Sequence, residues 1–237
     1  MTSARDYLKE ARQLLTVIEE EETETIQVVA DRMSDSMIDG GIAHVFGSGH
    51  SAIGAKEVFI RAGTLSSIRA IGLEHELDKF ERLEGVAETI LGDYELLPGE
   101  VLIVISNSGI NPLPVEMAMA GNSRELHTVA VTSLKHSRTA PSRHSSGKKL
   151  FEVADIVLDT HVPSGDAALE VPDLPVPIGP LSTLAVVSIM DAIVVETITD
   201  MLDKGHTPPV RMSRNLPGGD EHNQRFREQY GDRIPEL

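Results

Sequence analysis

Apolar residues recur at helical spacing through the first part of the chain. Residues 5–38 place apolar side chains three or four positions apart, which predicts helix. Gly40 and Gly41 follow, and glycine ends helices. The acidic run from Glu19 to Glu22 leaves two interpretations open: a solvated helix face, or a break between two helices.

Beyond Gly41 the pattern changes to short apolar runs that alternate with helical stretches. Such alternation is typical of βαβ units around a parallel sheet. The predicted strands are residues 42–47, 67–72, 101–106, 127–133 and 154–159. The predicted helices are residues 52–62, 79–92, 113–121, 147–153 and 181–202. We therefore predict an α/β fold of three layers, a doubly wound five-stranded parallel sheet in the flavodoxin-like order, with an N-terminal helical extension.

The same pattern divides the chain into three parts. They are an N-terminal helical extension at 1–40, one α/β domain at 41–204 and a polar C-terminal tail at 205–237. The tail is either ordered across a neighbouring subunit or frayed. The helix at 181–202 is apolar on most sides, and with the long N-terminal helix it predicts a homodimer or homotetramer.

Composition narrows the classes of function. Hydrophobic residues make up 41% of the chain, enough for a sizeable core, and the absence of cysteine excludes disulfides and Cys-ligated zinc. A formal net charge of −16 argues against a nucleic-acid partner, because clustered Lys and Arg hold phosphate backbones. The N-terminus does not resemble a secretory signal, and no segment approaches the roughly 20 apolar residues of a membrane span. We therefore expect a soluble, cytoplasmic protein without a membrane partner.

The first predicted strand ends in a loop of small residues, Gly47-Ser48-Gly49-His50-Ser51, directly before a helix. Glycine lets the main chain approach an anion, and the N–H groups at a helix start can bind one. The loop is therefore a candidate phosphate cradle, although tight turns also need glycine. Ala52 replaces the third glycine of a dinucleotide-binding GxGxxG, and the lysine of a P-loop is missing.

A second loop of this kind follows the third predicted strand. It reads Ser106-Asn107-Ser108-Gly109-Ile110-Asn111, and Pro112 opens the next helix. In the flavodoxin-like order the first and third strands lie side by side, so both loops would line one crevice at the carboxyl ends of the strands. The two loops together favour phosphate binding over two unrelated turns.

At these residues the chain resembles the SIS (sugar isomerase) family, whose members bind phosphosugars with a Gly-x-Gly-x-Ser loop and a Ser-x-Ser-Gly loop. The resemblance extends to Thr132-Ser133 after the fourth strand and to residues 179–183 before the last long helix. It covers most of the chain from residue 5 to residue 204. Within the family the chain is most similar to single-domain SIS proteins described as sugar isomerases or phosphosugar-binding proteins.

The resemblance implies a set of phosphosugar-binding residues. They are Gly47, Ser48, Gly49, His50, Ser51, Ser106, Asn107, Ser108, Gly109, Asn111, Thr132 and Ser182. Those implied to hold the phosphate are Ser51, Ser106, Ser108 and Asn111. Thr132 would lie at the rim and Ser182 near the sugar, while His50 contacts the ligand or only caps the helix. Asn111 departs from the family pattern, which has a hydroxyl residue there.

Aldose–ketose isomerisation needs a base that moves a proton between adjacent carbons and a second group that helps to open the ring. The catalytic candidates are Glu57, Glu74, His75 and Glu76. Related isomerases carry a glutamate in the first helix of the domain, where this chain has Arg61. Glu57 lies one turn earlier, and an ion pair with Arg61 would equally explain it. Residues 74–76 follow the second strand, and a polar loop or a subunit contact would explain them as well.

Two other segments leave alternatives open. The cation-rich stretch at 134–149 is either a lid over the ligand or an exposed loop. The last long helix carries Asp191 and Glu196 but lacks the histidine that some phosphosugar isomerases have there. His206 or His222 of a neighbouring subunit could supply it.

The sequence therefore predicts a protein that binds a sugar phosphate. The first hypothesis is an aldose–ketose isomerase, or a related phosphosugar-processing enzyme, that uses carboxylate and histidine acid–base chemistry without metal or other cofactor. The alternatives are a non-catalytic sugar-phosphate sensor or binding module, and a nucleotide-binding α/β protein that only the glycine-rich loop favours. The 40 residues before the first strand are too few and too acidic for a helix-turn-helix domain.

Overall fold

The computed structural model describes residues 3–73 and 77–237. The helices are α1 (Ala4–Ile38), α2 (Ala52–Val58), α3 (Val86–Leu91), α4 (Pro112–Ser123), α5 (Leu134–Ser137), α6 (Ser182–Asp203) and α7 (Gly219–Tyr230). The strands are β1 (Ala43–Gly47), β2 (Ile68–Ile71), β3 (Val101–Ile105), β4 (His127–Thr132), β5 (Ile156–Asp159), β6 (Ala167–Leu169) and β7 (Ile178–Pro180). Short 3-10 helices lie at Gly49–Ser51, Leu77–Lys79 and Leu150–Glu152.

Strands β1 to β5 form one parallel sheet in the order β2-β1-β3-β4-β5. The strand order reverses between β1 and β3, so the predicted flavodoxin-like α/β fold is confirmed. The sequence predicted these strands because a parallel sheet that is covered on both faces needs nearly continuous apolar runs. All five residues of β1 and of β3 are buried, for example.

Alternate residues of the strands pack into two cores on opposite faces of the sheet. Ala43 and Val45 of β1 join a core with apolar residues of α1, α2 and α6. Phe46 joins the other core, with residues of α3 and α4. The strand period of two thus places helices on both faces, which gives the three layers.

Helix α1 is one continuous helix that packs along α6. The predicted break at residues 19–22 is therefore wrong, whereas the solvated helix face is confirmed for Glu19, Glu20 and Glu21 but not for Glu22. Glu22 is only 7% exposed, accepts a hydrogen bond from the Asp159 N–H at 3.2 Å and lies 2.8 Å from His161 Nε2. Burial raises the pKa of Glu22, and the hydrogen bond with His161 opposes that rise.

Three predicted helices are shorter in the structure than the pattern indicated. The helix predicted at 52–62 ends at Val58, because Phe59 is extended and Ile60 has a φ of +48°. Of residues 79–92, only Val86–Leu91 form an α-helix. Of residues 147–153, only Leu150–Glu152 form a helix, a short 3-10 turn, and the Leu150 N–H donates to the Gly109 carbonyl in the loop at 106–111 at 2.9 Å.

The last part of the chain packs on the chain itself. Ile234 and Leu237 are buried against Ile42, and α7 buries Phe226. The segment is therefore not frayed, and its order across a neighbouring subunit stays a prediction. The sequence pattern also missed the antiparallel pair of β6 and β7, which lies outside the main sheet.

A buried ionic cluster lies at the amino ends of the central strands. Glu100 is 2% exposed, lies 3.0 Å from His44 Nε2 and accepts a hydrogen bond from Arg233 Nη2 at 2.9 Å. The N–H groups of Ile42 and Leu97 also donate to it, each at 2.9 Å. Burial raises the pKa of Glu100, but these hydrogen bonds outweigh it and lower the pKa to about 2.

Helix α6 is the one helix among the described residues that is long and apolar enough to cross a membrane. The expectation that no segment approaches this length is therefore wrong. In the structure Ile189 and Ile193 of α6 are fully buried in the core with α1 and the sheet. Buried core helices often have this length and composition, and α6 packs as one of them.

Candidate functional site

The first serine loop leaves β1 as a tight turn. A Cβ on Gly47 would lie 2.5 Å from the Ser51 carbonyl oxygen, so this position has no room for a side chain. Gly49 has a φ of +54°, in the left-handed region that favours glycine. Ser48 is buried and His50 is exposed. The glycines therefore allow residues 48–51 to fold compactly at the carboxyl end of β1.

The second serine loop makes a comparable turn after β3. Ser106 Oγ accepts a hydrogen bond from the Gly109 N–H at 3.2 Å, and Gly109 has a φ of +61°. A Cβ on Gly109 would lie 2.8 Å from the hydroxyl oxygens of both Thr132 and Ser137. Pro112 begins α4 directly after the loop, as the sequence predicted.

The sheet brings the two serine loops to the same edge. Gly47 is the register partner of Ile105, so the loops leave neighbouring strands at the same level. This is the point where the strand order reverses, and ligands of doubly wound sheets bind there. The structure therefore shows the predicted juxtaposition of residues 47–51 with residues 106–111.

Three hydroxyls of these loops have no hydrogen bond to any other residue within 3–73 and 77–237. They belong to Ser48, Ser51 and Ser108. Most polar groups in a folded interior are bonded to protein or to water. These hydroxyls are therefore available to a ligand.

The side-chain amide of Asn111 is already occupied. Asn111 is 6% exposed, its Nδ2 donates to Glu81 at 2.8 Å, and its Oδ1 accepts from Arg143 Nη1 at 2.8 Å. Both ends of the amide thus bind other parts of the chain. Here Asn111 ties the second loop to residues 81 and 143.

Thr132 lies beneath the second loop and not at a rim, because it is completely buried. Its hydroxyl is 3.0 Å from Ser137 Oγ, which in turn donates to the Ser108 carbonyl at 2.6 Å. Asn107 is also engaged, since its carbonyl accepts from the Ser133 N–H at 3.0 Å. These contacts fix the shape of the second loop.

Ser182 lies at the start of α6, where its hydroxyl donates to Asp166 at 2.6 Å and its N–H donates to the same carboxylate at 2.7 Å. The Leu181 N–H donates to Asp166 as well, at 3.1 Å. Asp166 thus satisfies the first N–H groups of the helix. The oxygen of Ser182 can still accept a hydrogen bond.

The cation-rich segment at 134–149 packs against the second loop. The Arg143 N–H donates to the Ile110 carbonyl at 2.8 Å, and Lys149 Nζ donates to the Ser137 carbonyl at 2.7 Å. Ser137 is fully buried, so the segment is not simply an exposed loop. Its function as a lid stays a prediction.

Comparison with known proteins identifies the family. The model of the SIS domain matches residues 6–133. The chain belongs to the SIS-domain family. A UPF0309 protein of Geobacillus kaustophilus is 38% identical over 98% of this chain and 95% of its own length. A UPF0309 protein of Caldanaerobacter subterraneus is 40% identical, over 98% of each chain.

Solved structures share the fold of this SIS domain at low sequence identity. The phosphoheptose isomerase of Neisseria gonorrhoeae has a TM-score of 0.57 at 16% identity, over 81% of this chain and 95% of its own. The NanR protein of Vibrio vulnificus, complexed with ManNAc-6P, has a TM-score of 0.53 at 15% identity, over 98% of this chain and 68% of its own. At such identities the likeness concerns the fold alone.

One catalytic candidate of the SIS domain, Glu57, lies on α2. Its carboxylate forms an ion pair with Arg61, the partner that helical spacing predicted. Burial, and then the negative charge of Glu57, raise the pKa of Asp191 on α6, while Arg61 opposes that rise. The carboxylates of Glu57 and Asp191 and the guanidinium of Arg61 therefore interact where α2 and the residues after it face α6. The other candidates, Glu74, His75 and Glu76, lie outside the described residues.

The sequence reasoning missed three side chains that shape the SIS-domain site: Glu81, Arg143 and Asp166. They reach the loops from distant segments, and Glu81 and Arg143 are 30 and 32 residues from Asn111. The excess of cations at 134–149 was the one available signal, and it did not single out Arg143. Contacts of this kind form only when the chain folds, so the local sequence pattern does not indicate them.

One group of described residues has the chemistry of a metal site: Glu84, Glu116 and His144, whose ligand atoms lie within 4.8 Å of one another. Both carboxylates already accept hydrogen bonds. Glu84 accepts from the Ser145 N–H at 2.6 Å, and Glu116 accepts from the Gly85 N–H at 2.7 Å. These hydrogen bonds link neighbouring segments of the chain, which explains why the three side chains lie together.

Proposed function

We propose that this SIS-domain protein binds a phosphorylated sugar between residues 47–51 and 106–111 and acts on it as an aldose–ketose isomerase. One observation carries the binding proposal. The hydroxyls of Ser48, Ser51 and Ser108, which no other described residue engages, lie in two loops at neighbouring strand ends. Hydroxyl and N–H donors can satisfy phosphate oxygens without a buried lysine or arginine.

The relatives in structure support a sugar phosphate as the ligand. The phosphoheptose isomerase is named for a sugar-phosphate substrate, and NanR was solved with the sugar phosphate ManNAc-6P. For a nucleotide, by contrast, the loops lack both the third glycine of a dinucleotide-binding motif and the lysine of a P-loop. The sugar phosphate is therefore the ligand class that we assign to the crevice.

We divide the proposed binding residues by their contacts. Ser51 and Ser108 donate to the phosphate, with Ser48 and Ser106 beside them and the N–H groups of Gly49 and His50 at the turn. Asn111, Asn107 and Thr132 hold the second loop in shape, and Ser182 lies near the sugar. Gly47 and Gly109 provide the close approach of the main chain.

The isomerase step requires a base that takes the proton from C2 of the open-chain aldose and returns a proton to C1. The hydroxyl on C2 loses its proton as the C1 carbonyl oxygen gains one, so the reaction is balanced without a cofactor. Glu57, Glu74 and Glu76 are the proposed bases, and His75 is the proposed group for ring opening. A histidine suits that role because its unperturbed pKa is about 6.5.

A sugar-phosphate sensor is the second candidate function. The ion pair of Glu57 with Arg61 favours it, because the pair already engages the carboxylate that would have to act as the base. The fold shared with NanR, solved with a sugar phosphate, is consistent with this candidate. Both candidates require the same binding site.

Isothermal titration with a panel of aldose, ketose and amino-sugar phosphates tests the binding. The variants S51A and S108A each remove one proposed donor and should weaken binding about 10- to 100-fold, as expected for a hydrogen bond to a charged group. The control S123A removes a hydroxyl at the far end of α4 and should leave the affinity unchanged. Equal affinity of S108A and S123A for every ligand would refute the binding site.

Turnover separates the isomerase from the sensor. The sugar phosphate that binds is incubated in D2O, and NMR follows deuterium at the reacting carbons and the appearance of the ketose. An isomerase gives both, and E57Q or E76Q abolishes them while binding persists. Tight binding without exchange would establish the sensor instead.

A further inference from the structure

A second polar cleft lies between α2, residues 59–62 and the C-terminal segment. Its described lining residues include Glu57, one of the proposed bases of the isomerase, but no residue of either serine loop. Its volume is about 640 Å³, within the range typical of small-molecule sites. Its basic lining residues are Lys56, Arg61, Arg211, Arg214 and Arg227. Two acidic residues, Glu57 and Glu236, also line it, so basic residues are in excess there although the chain has a net charge of −16.

Most arginines of the cleft have partners within the chain. Arg61 pairs with Glu57, and Arg214 pairs with Asp220 at 2.8 Å. Arg227 donates its Nε–H to the Leu237 main-chain oxygen. These residues therefore need no ligand to satisfy them.

Arg211 is different. It is only 9% exposed, yet its guanidinium has no ion pair or hydrogen bond with any residue in the described part of the chain. Its main chain is fixed, since the N–H donates to the Thr64 carbonyl at 2.9 Å and the carbonyl accepts from the Gly63 N–H at 2.9 Å. The side chain lines both the cleft and a smaller neighbouring cavity of about 180 Å³.

The surroundings of Arg211 are unfavourable for its charge. Burial, then Arg227 and Arg214, lower the pKa of the Arg211 guanidinium. A guanidinium still stays protonated at neutral pH. Charges held largely out of water are normally paired, so an unpaired guanidinium that lines a cleft indicates an anion that enters from outside.

We propose that this cleft binds a small ligand through an oxyanion group, either phosphate or carboxylate, held by the Arg211 guanidinium. Two parallel N–H donors of an arginine match the two oxygens of such a group. Arg214 and Arg227 lie at the exposed mouth and attract the anion. Arg211 lies deeper, so the volume of the cleft accommodates the rest of a small molecule in front of it. A carboxylate from a second copy of the chain is the competing occupant.

The test is made in the S108A background, so that the serine loops contribute little. Inorganic phosphate and malonate are titrated calorimetrically, one as the phosphate probe and one as the carboxylate probe. R211M should raise the Kd of the better probe about 10-fold or more, since a charge-assisted pair is lost. R12M, which removes an exposed arginine on α1, should leave it unchanged. Equal binding by R211M and R12M would overturn the proposal.

Two further measurements do not depend on that comparison. Ligand-free R211M should melt no lower than the wild type, because the substitution removes an unpaired buried charge. If R211M does not fold, the proposal is wrong, because Arg211 then has a structural partner. Crystals of the wild type soaked in selenate should show an anomalous peak at Arg211, and its absence would contradict the proposal. A fall in the molecular mass of R211M would assign the site to a second copy of the chain.

Discussion

Polar residues of the same type have different functions in the two serine loops, depending on what their side chains contact. Within the described part of the chain the hydroxyls of Ser51 and Ser108 have no partner, whereas Ser106 accepts the Gly109 N–H and Thr132 bonds Ser137. A hydroxyl that already bonds the protein contributes to the shape of the site. The sequence could not separate these two groups, because the distinction depends on neighbours from other segments.

Asn111 gives a prediction about loop stability. N111A removes two hydrogen bonds and leaves Glu81 and Arg143 without their partner, so it should lower the free energy of unfolding by about 1–3 kcal/mol. Urea unfolding monitored by circular dichroism measures the change. N215A, at an exposed asparagine, should have almost no effect. Equal stability of the two variants would show that the bridge through Asn111 is not formed.

Glu100 gives a prediction about pH. Its pKa is about 2 in the folded protein and 4.5 in the unfolded chain, so it stabilises the fold above pH 4.5. That contribution, about 3 kcal/mol, is lost as the pH falls from 4.5 towards 2. E100Q should therefore be much less stable than the wild type at pH 7, and the difference should shrink in acid.

Urea unfolding of both proteins between pH 2 and pH 7 measures this difference. E95Q, at an exposed partner of Arg233, should change the stability little. A gap between wild type and E100Q that stays constant with pH would contradict the low pKa of Glu100.

At the scale of elements, Gly54 sets how closely α2 approaches α6. A Cβ at Gly54 would lie 2.3 Å from Val186 Cγ1 and 2.9 Å from Ile105 Cδ1. Alanine normally stabilises a helix relative to glycine by up to about 1 kcal/mol. G54A should instead destabilise the protein, by about 1–3 kcal/mol, because it overpacks the core. G92A, at the end of α3, meets only helix carbonyls at 3.4 Å and should be tolerated.

Thermal unfolding of G54A and G92A measures the effect of packing, because both variants add the same methyl group and differ only in its surroundings. The predicted order of melting temperatures is G92A above G54A, with G54A below the wild type. A melting temperature of G54A above that of the wild type would show that α2 and α6 are not packed as closely as described.

The helices and strands differ in how well the sequence pattern predicted them. The central strands and both serine loops were predicted because apolar runs, glycines and serines act within a few residues. The burial of Glu22 was missed because its partner His161 is 139 residues away. The helix predicted at 147–153 is reduced to Leu150–Glu152, because Lys149 is extended and the Leu150 N–H donates to Gly109 in the second loop. The polar helix α7 gave too weak an apolar pattern to be seen.

At the scale of the whole molecule, exposed apolar side chains on α6 indicate that the protein forms an oligomer. Val195 and Leu202 are 61% and 57% exposed and lie on one face of α6, seven residues apart. We predict a homodimer or homotetramer that covers this face. Sedimentation equilibrium should give at least twice the chain mass of 25.7 kDa, and V195K should lower it.

V176K is the matched control for that experiment. Val176 is also 61% exposed but lies between β6 and β7, so its substitution should leave the mass unchanged. A monomeric wild type would refute the predicted assembly. It would leave the proposed sugar-phosphate site intact, because both serine loops belong to one chain.

The central claim is that the two serine loops hold the phosphate of a sugar phosphate. A crystal structure of the wild-type protein with the tightest-binding member of the sugar-phosphate panel tests it most directly. The account predicts phosphate density within hydrogen-bond distance of Ser51 and Ser108, between the turns at Gly49 and Gly109. Phosphate density elsewhere, with both loops empty, would contradict it.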